Sequence, residues 1–494
     1  MRPLLITSGL RAAAKCTPDK VALICDGDTR TYAQLVARID ALQAAVQHVW
    51  GLHKGNTAAL IAPNCLEYLE TVAALSEMGV AVATVNYRLS GPEAAQIVAD
   101  AQAKLVLYHE SCAALAQASE VRRTHMLGER LPDAPGFDGA LAVEEDVFAI
   151  PYTSGTTGLP KGVMISHRAR VMTFYAMAAE YQCYSSASHF LAIAPLCHGA
   201  GFAFGFTPLF FGGTVELLPT FDAETVLTKI AEGKADGIFM VPTHFQAIFN
   251  LNPAVLHANK GHHALRSIIS NASALPQPMK RKIIEYFGPG LLHETYGSTE
   301  GGIVTNLRPF DQLRKERCVG LAFVDTEISL RDAKGEDVPA NTPGELFSRG
   351  PSLFSGYWRR PDATAEAMQD GWVSVGDIAV RDEEGYIYIV DRKKDMIISG
   401  GINIYPREVE TVVEGFDGIE ECAVFGVPHE EWGEAIHCAI VSKSPPDAQT
   451  LSDWLGERVA RYKLPRALHV VDALPRNANG KVLKRLLAET YGAQ

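Results

Sequence analysis

Residues 31–46 open on Thr31-Tyr32-Ala33-Gln34-Leu35 and carry apolar positions at helical spacing, the pattern of a capped amphipathic helix. Residues 57–63 (TAALIAP) are apolar almost throughout and predict a short buried strand; 67–78 return to helical spacing, and 80–85 read as a second buried strand. Such alternation predicts parallel strands with helices on their faces. The same beat returns at 191–195, 237–241 and 267–270, each an apolar run followed by a loop and a helix. In open α/β sheets ligands bind beyond the carboxyl ends of the strands, so chemistry is expected in the loops that follow these runs. From about Cys318 the texture changes. Residues 325–330, 344–348 and 385–390 are short, alternating and separated by Gly or Asp turns, which predicts an antiparallel, β-rich subdomain. The run Asp391-Arg392-Lys393-Lys394-Asp395 has no apolar anchor and reads either as a solvated loop or as an interdomain hinge, before a fresh α/β pattern to residue 494.

A chain of 494 residues is too long for one ordinary core and calls for two or three packed units. A hydrophobic share of 47% with 21% charged residues is that of a soluble globular enzyme and excludes a disordered chain. The formal charge of −12 argues against a protein that coats nucleic acid or an anionic membrane, while leaving room for anionic small ligands at local Lys/Arg clusters. Nine cysteines without a C-x-x-C pair point to reduced thiols, neither a zinc site nor a disulfide framework. The first residues, MRPLLIT, hold too short an apolar run for a signal peptide, and no stretch reaches the length that spans a bilayer; a cytoplasmic enzyme is the expectation.

The strongest chemical string is Tyr152-Thr153-Ser154-Gly155-Thr156-Thr157-Gly158-Leu159-Pro160-Lys161-Gly162, directly after the apolar run 147–150. Glycines let a backbone approach a ligand, hydroxyls donate hydrogen bonds and a lysine adds positive charge, which together suit a polyphosphate. It is not a Walker A loop, because Pro160 precedes Lys161 and Gly162 follows it. A second string, Thr295-Tyr296-Gly297-Ser298-Thr299-Glu300-Gly301-Gly302, combines an aromatic ring beside glycine, a hydroxyl and a carboxylate able to hold Mg²⁺ between phosphate oxygens. Neither G-x-S-x-G nor H-E-x-x-H occurs, so no hydrolytic triad or zinc protease site is expected.

These strings, with Ala194–Gly201, Asn271–Pro276, Trp372–Asp377, residues 391–406 and Pro475–Val482, resemble in order and spacing the adenylate-forming superfamily of acyl-CoA synthetases, adenylation domains and beetle luciferases. The resemblance covers nearly the whole chain and is strongest to aryl- or short-acyl-CoA ligases. It implies a large N-terminal α/β domain of mixed and parallel sheets with a β-rich subdomain (1–391), a hinge (392–395) turning at Lys394, and a small mobile C-terminal α/β domain (396–494). It implies that Thr153, Ser154, Gly155, Thr156, Thr157 and Lys161 hold the β/γ phosphates, that Asn271, Ala272, Ser273, Tyr296, Gly297 and Thr299 receive the nucleotide, and that Asp377 and Arg392 bind the ribose. Lys481, Glu300, Thr153 and His198 are then the catalytic set, with Lys481 at the α-phosphate, Glu300 on Mg²⁺ and His198 a positioning group. Two departures stand out: Ala272 where the family often has Gly, and Ile402 where many relatives have Glu or Lys.

The implied reaction joins a carboxylic acid to AMP and then to the thiol of coenzyme A, with Gly400 and Gly401 beside pantetheine and Trp432, Tyr462 and Lys463 near the CoA nucleotide, aided by Arg461 and Arg466. Leu464 replaces an arginine found in some aryl-CoA ligases. The alternatives are a stand-alone adenylation enzyme loading a carrier protein, a medium-chain acyl-CoA synthetase, and a luciferase-like oxidase or non-catalytic nucleotide binder. With no carrier domain in the chain, free CoA is the expected acceptor. The acyl wall is assigned to His198, Gly199, Ala200, Phe239, Asn271, Gly297, Gly302 and Ile303. That set lacks Arg or Lys, which predicts a compact aryl, branched or hydroxylated monoacid and disfavours a dicarboxylate. Expected partners are the acid, ATP and CoA, with no nucleic acid and no membrane span; a homodimer is left open.

Overall fold

The computed structural model describes residues 3–153, 160–393, 395–399, 402–429, 432–476, 480 and 482–492. The first predicted helix forms as Tyr32–His48. Its end is fixed by a reciprocal cap in which the Thr31 hydroxyl accepts the Gln34 N–H and the Gln34 side chain accepts the Thr31 N–H. Strands Thr57–Ile61 and Ala81–Val85 follow, buried along their whole length as parallel strands covered on both faces must be. They pair in parallel with each other and with Val106–Tyr108 and Val147–Thr153 in a seven-stranded sheet.

A second, nine-stranded sheet holds the later runs. His189–Ala192, Gly237–Met240, Ser267–Ser270 and Leu292–Ser298 are successive parallel neighbours, so their carboxyl ends leave the sheet along one edge. Leu292–Ser298 then turns back as an antiparallel hairpin with Gly302–Leu307. Residues 21–25, to which the pattern assigned no element, form a strand that enters this second sheet beside Thr214–Leu217. One aromatic-rich core (Phe148, Phe174, Phe190, Phe206 among others) joins residues of both sheets.

By compactness the chain divides into two units, Met1–Ile328 with Ser348–Val375, and Ser329–Phe347 with Gly376–Gln494. In the second unit, Asp377–Arg381 and Ile387–Arg392 form an antiparallel pair. Further on, Ile419–His429 and Gly433–Ser442 make a long hairpin, with Ala467–Val470 added in parallel. Helix Pro406–Val413 contributes Val409 and Val413 to a core with Val424, Ile436 and Ile440. No helix among the described residues is long and apolar enough to cross a membrane.

Candidate active site

The phosphate string is built on a hairpin. Strand Val147–Thr153 pairs antiparallel with Lys161–Gly162, which sets Thr153 opposite Lys161 across the ligand loop. Ser154, Gly155, Thr156 and Thr157, the middle of that loop, lie outside the described residues. The hairpin is held from outside by polar groups that the sequence reading did not single out. Tyr152 Oη donates to Asp100 Oδ2 at 2.8 Å, while Arg360 reaches Asp100 Oδ1 at 2.6 Å. Residues 355–358 run alongside 162–164, with Trp358 N–H donating to the Gly162 carbonyl at 2.8 Å and Met164 N–H to that of Gly356 at 2.9 Å.

This pairing places Tyr357, another residue missed in the sequence, between the two predicted phosphate motifs. The Lys161 Nζ lies 5.0 Å from the centre of the Tyr357 ring, and Tyr357 Oη donates to Glu300 Oε1 at 2.8 Å. Burial and the Glu300 carboxylate both raise the Tyr357 phenol, so it stays protonated and donates. The signal was present as Gly356-Tyr357-Trp358, two aromatics behind a glycine in a loop, but loop aromatics are read as packing unless a partner is known.

Glu300 is buried in the turn of the Leu292–Ser298 and Gly302–Leu307 hairpin, where Gly301 N–H donates to Ser298 Oγ at 2.8 Å. Gly297 is obligatory there, because a β-carbon would stand 2.0 Å from the Gly302 carbonyl oxygen. Among the described residues no three acidic, His or Cys side chains converge on a point that would hold a metal alone. A single buried carboxylate beside a phosphate loop does suit Mg²⁺, which takes one or two carboxylates and completes its shell with water and substrate phosphates.

Beyond strand Ser267–Ser270, Asn271 does not cap a helix. Its Nδ2 donates to Thr295 Oγ1 at 2.9 Å and its Oδ1 accepts the Ala272 N–H, so the side chain fixes the turn itself. Ala272 adopts φ +76°, the left-handed region that favours glycine, and Ser273 is exposed beside it. Tyr296 ends half-buried on the neighbouring strand.

The residues predicted for the acyl wall begin at the helix Gly199–Phe210, with His198 as its extended N-cap residue. The approach to it is locked by Asn64, a buried side chain that donates to the carbonyls of Ala194 and Leu218 at 3.1 Å each and accepts the Leu196 N–H at 2.9 Å. Thr84 Oγ1, from the other sheet, holds the Cys197 carbonyl at 2.9 Å. A β-carbon on Gly199 would lie 3.7 Å from Thr299 Cγ2, so the helix Gly199–Phe210 and the string Thr295–Gly302 meet at this residue. Burial, and then the charge of Arg88, lower the His198 imidazole, leaving it neutral near pH 7. A narrow cavity of about 10 Å³ is lined here by Cys197, His198, Gly199, Phe202, Phe148 and, unforeseen, Arg170. Of the other predicted acyl residues, Phe239 is buried and stacked on Phe204 at 4.4 Å between centroids, Ile303 is buried, and Ala200 and Gly302 are half-buried.

In the second unit the two predicted ribose ligands face each other across their strands, Arg392 Nε lying 3.0 Å from Asp377 Oδ1. Of the predicted CoA residues, Trp432 is sandwiched between the His429 ring (4.1 Å) and the Arg466 guanidinium (3.7 Å), Tyr462 is exposed, and Lys463 is paired with Glu408. Asp391, raised by burial, accepts the backbone N–H groups of Arg392 and Arg407, both at 2.7 Å. Lys394, Gly400, Gly401 and Lys481 lie outside the described residues.

Known proteins match this arrangement over its whole length. The AMP-binding enzyme family matches residues 10–358, and the AMP-binding enzyme C-terminal domain matches 408–481. A feruloyl-CoA synthase of Amycolatopsis is 35% identical, covering 97% of each chain. A long-chain-fatty-acid–CoA ligase of Mycobacterium tuberculosis is 34% identical over 94% of this chain and 93% of its own. The o-succinylbenzoate CoA synthetase of Bacillus subtilis, solved with its acyl-adenylate intermediate, has a TM-score of 0.88 at 29% identity and 98% coverage of both chains. The chain therefore belongs to the AMP-binding enzyme family and is an AMP-forming acid–thiol ligase.

Proposed function

We propose that this enzyme activates a compact carboxylic acid, of the aryl, branched or hydroxylated class, and delivers it to coenzyme A in the cytoplasm. The observation that carries this reading is the junction at Gly199, where the acyl helix abuts Thr299 of the motif that also holds Glu300. An acid seated against that helix has its carboxyl beside the phosphate residues, which is what attack on an α-phosphate requires. In the first step a carboxylate oxygen bonds to the α-phosphorus while the bond from that phosphorus to the bridging oxygen breaks, its electron pair leaving with pyrophosphate. Thr153, Lys161 and the loop between them hold the departing phosphates, and Glu300, oriented by Tyr357, would be the protein ligand for Mg²⁺, which would neutralise charge on the phosphate oxygens. Lys481 is assigned to the α-phosphate.

In the second step the CoA thiolate attacks the acyl carbon and the bond to the AMP oxygen breaks, releasing AMP. Rotation at Lys394 between the steps exchanges Lys481 for the thiol passage at Gly400 and Gly401. The His429–Trp432–Arg466 stack supports a role for Trp432 in receiving the CoA nucleotide, since a ring and a cation together suit a base and its phosphates. Nine free cysteines, seven of them buried, accord with a reducing compartment. The assembly, a homodimer or a monomer, is read from the mass in solution.

The test follows pyrophosphate with ATP and a panel of acids, then AMP release on adding CoA. Pyrophosphate release that depends on the acid, with AMP release that depends on CoA, is the expected result. Release of AMP only on addition of an acyl-carrier protein would give the acceptor role to that protein. Lys481→Ala is expected to bind ATP and fail to form the adenylate; adenylation at the parent rate would leave Lys481 without its assigned role.

A further inference from the structure

Arg170 stands outside every motif of the site. It lies one turn into the helix His167–Tyr181, which starts from the Ser166 cap beyond the phosphate hairpin. Its side chain is half-buried, and its Nε is enclosed with no hydrogen-bond partner. Among the described residues no carboxylate pairs with it. Its neighbours in the cavity are Val72, Phe148, Ile165, Leu196 and Phe202, with Thr84, Cys197 and neutral His198 as the polar groups. Burial, opposed by no nearby negative charge, lowers the guanidinium to about 10.

A half-buried guanidinium whose Nε is enclosed without a partner gains a hydrogen bond and a counter-charge when an anion meets it. The cavity of about 10 Å³ has room for at most one water. A water satisfies a hydrogen bond but brings no charge. The place from which an anion can come is the acyl side, because Gly199 both lines this cavity and abuts Thr299. An acid with its reacting carboxyl on the Thr299 side of Gly199 presents its far end to Arg170, with the lining side chains moving to admit it.

We propose that Arg170 is a specificity residue of the acyl pocket, and that the acid this enzyme takes carries a second carboxylate, which the guanidinium pairs at the end away from the one adenylated. The proposal rests on the ligase reading above and narrows it, reversing the expectation of a monoacid. That expectation arose because the motif residues of the wall include no cation, whereas this one comes from a helix outside every motif. The planar fork of arginine suits a carboxylate that accepts two parallel hydrogen bonds. A lysine would supply the charge without that fit.

Matched acids separate the second carboxylate from the rest of the ligand. Terephthalate and its monoamide, and glutarate and its monoamide, are compared for pyrophosphate release by kcat/KM and, without ATP, for binding by calorimetry. For at least one pair the parent enzyme is expected to prefer the diacid by about 10-fold or more, the weight of a charge-assisted hydrogen bond. In Arg170→Met the preference falls to within about 2-fold, and in Arg170→Lys part of it remains. Met has similar length and suits the apolar lining, so this variant is expected to melt no lower than the parent. Monoamides bound and used as well as the diacids by the parent, or a preference that survives Arg170→Met, would overturn the proposal. Diacid binding lost in Arg170→Met, in a parent that releases no pyrophosphate with any acid, would remove the ligase reading and uphold this one. Turnover of monoacids without diacid preference would do the reverse.

Discussion

The wall proposed to hold phosphate and the wall proposed to hold the acid, both in the first unit, handle charge in opposite ways. On the phosphate side each charged group already has a protein partner. Lys161 lies over Tyr357, Tyr357 donates to Glu300, and Asp100 ties Tyr152 to Arg360. On the side proposed for the acid His198 is kept neutral, and Arg170 has an enclosed Nε with no hydrogen-bond partner. A wall whose groups are paired is rigid before the ligand arrives, which suits a substrate that never changes. A wall with an unpaired N–H, if Arg170 reads the acid as proposed, is completed by the ligand. Polyphosphate is common to the family's chemistry and the acid is what varies, so on the proposed assignment the two walls divide catalysis from specificity.

The sharpest way to break this contrast is at Glu300. Glu300→Gln keeps the shape and a hydrogen-bond acceptor for Tyr357 but removes the charge, and is expected to lower kcat for pyrophosphate release by about 10²- to 10³-fold. Tyr357→Phe, which only frees the carboxylate to turn, is expected to cost about 10-fold. Steady-state kinetics with ATP and the acid varied separately give the answer. An effect confined to the KM for the acid would put Glu300 on the acyl wall and erase the distinction.

Much of the phosphate wall was legible because its residues are consecutive. Thr153 to Lys161 and Thr295 to Glu300 are unbroken strings, each following an apolar run that marks a strand end, and Lys161 and Glu300 both meet Tyr357. The parallel strands at 57–61, 81–85 and 267–270 were equally plain, being short, apolar and bounded by turns. Asn64, Asp100 and Tyr357 were not. Each acts on a segment far away in the chain, and Asn64 reaches loop carbonyls 130 or more residues on. A lone Asn in a Pro-Asn-Cys turn carries no local sign of such a partner. Strand 21–25 was missed for a related reason, since it gains its neighbour from residues near 215 and looks from sequence like one more short apolar run.

The helix that carries Arg170 offers the next test, through its first residue. His167 is fully buried; its Nδ1 accepts the Ile6 N–H at 3.2 Å and its Nε2 faces the Ser76 carbonyl at 3.1 Å. The Nε2 therefore holds the proton, and a second proton on Nδ1 would meet a donor. Burial, the largest cause, pushes this imidazole down to about 4. In the unfolded chain it titrates near 6.5, so as the pH falls the unfolded state takes up the proton first. Stability is thus full above about pH 6.5 and is lost between 6.5 and 4, by about 1.4 kcal/mol per pH unit at most and about 3 kcal/mol in all. His244 and His293, both also pushed to about 4, add to the slope of the parent, so the comparison is with His167→Asn. Urea midpoints between pH 7 and 4.5 should show the variant weaker at pH 7 and less steep below 6.5. Equal slopes would mean that His167 does not titrate with unfolding.

Asn64→Ala sharpens the contrast at the other end of the acyl wall. It removes three hydrogen bonds and leaves buried backbone groups of Ala194, Leu196 and Leu218 without their partner, for a loss of about 2 kcal/mol. Because the lock precedes His198, the KM for the acid is expected to rise while that for ATP stays within about 2-fold. A parallel rise in both would show that the two walls are one mechanical unit.

The smallest effect belongs to the nucleotide turn. Ala272 sits at φ +76°, a conformation that disfavours any residue with a β-carbon, and the Asn271 side chain holds it there by accepting its N–H. Ala272→Gly relieves that strain but adds freedom to the unfolded chain, for a net gain of about 0.5–1 kcal/mol. Chemical denaturation should therefore show a higher midpoint with an unchanged slope. If the phosphate and nucleotide side is as preorganised as its paired groups imply, the KM for ATP will not move, because Asn271 and Thr295 hold the turn whichever residue occupies 272. A gain in stability accompanied by weaker ATP use would show instead that the strained alanine itself shapes the surface the base rests on, and the contrast between a finished wall and a waiting one would then have to be drawn more narrowly, around Lys161, Tyr357 and Glu300 alone.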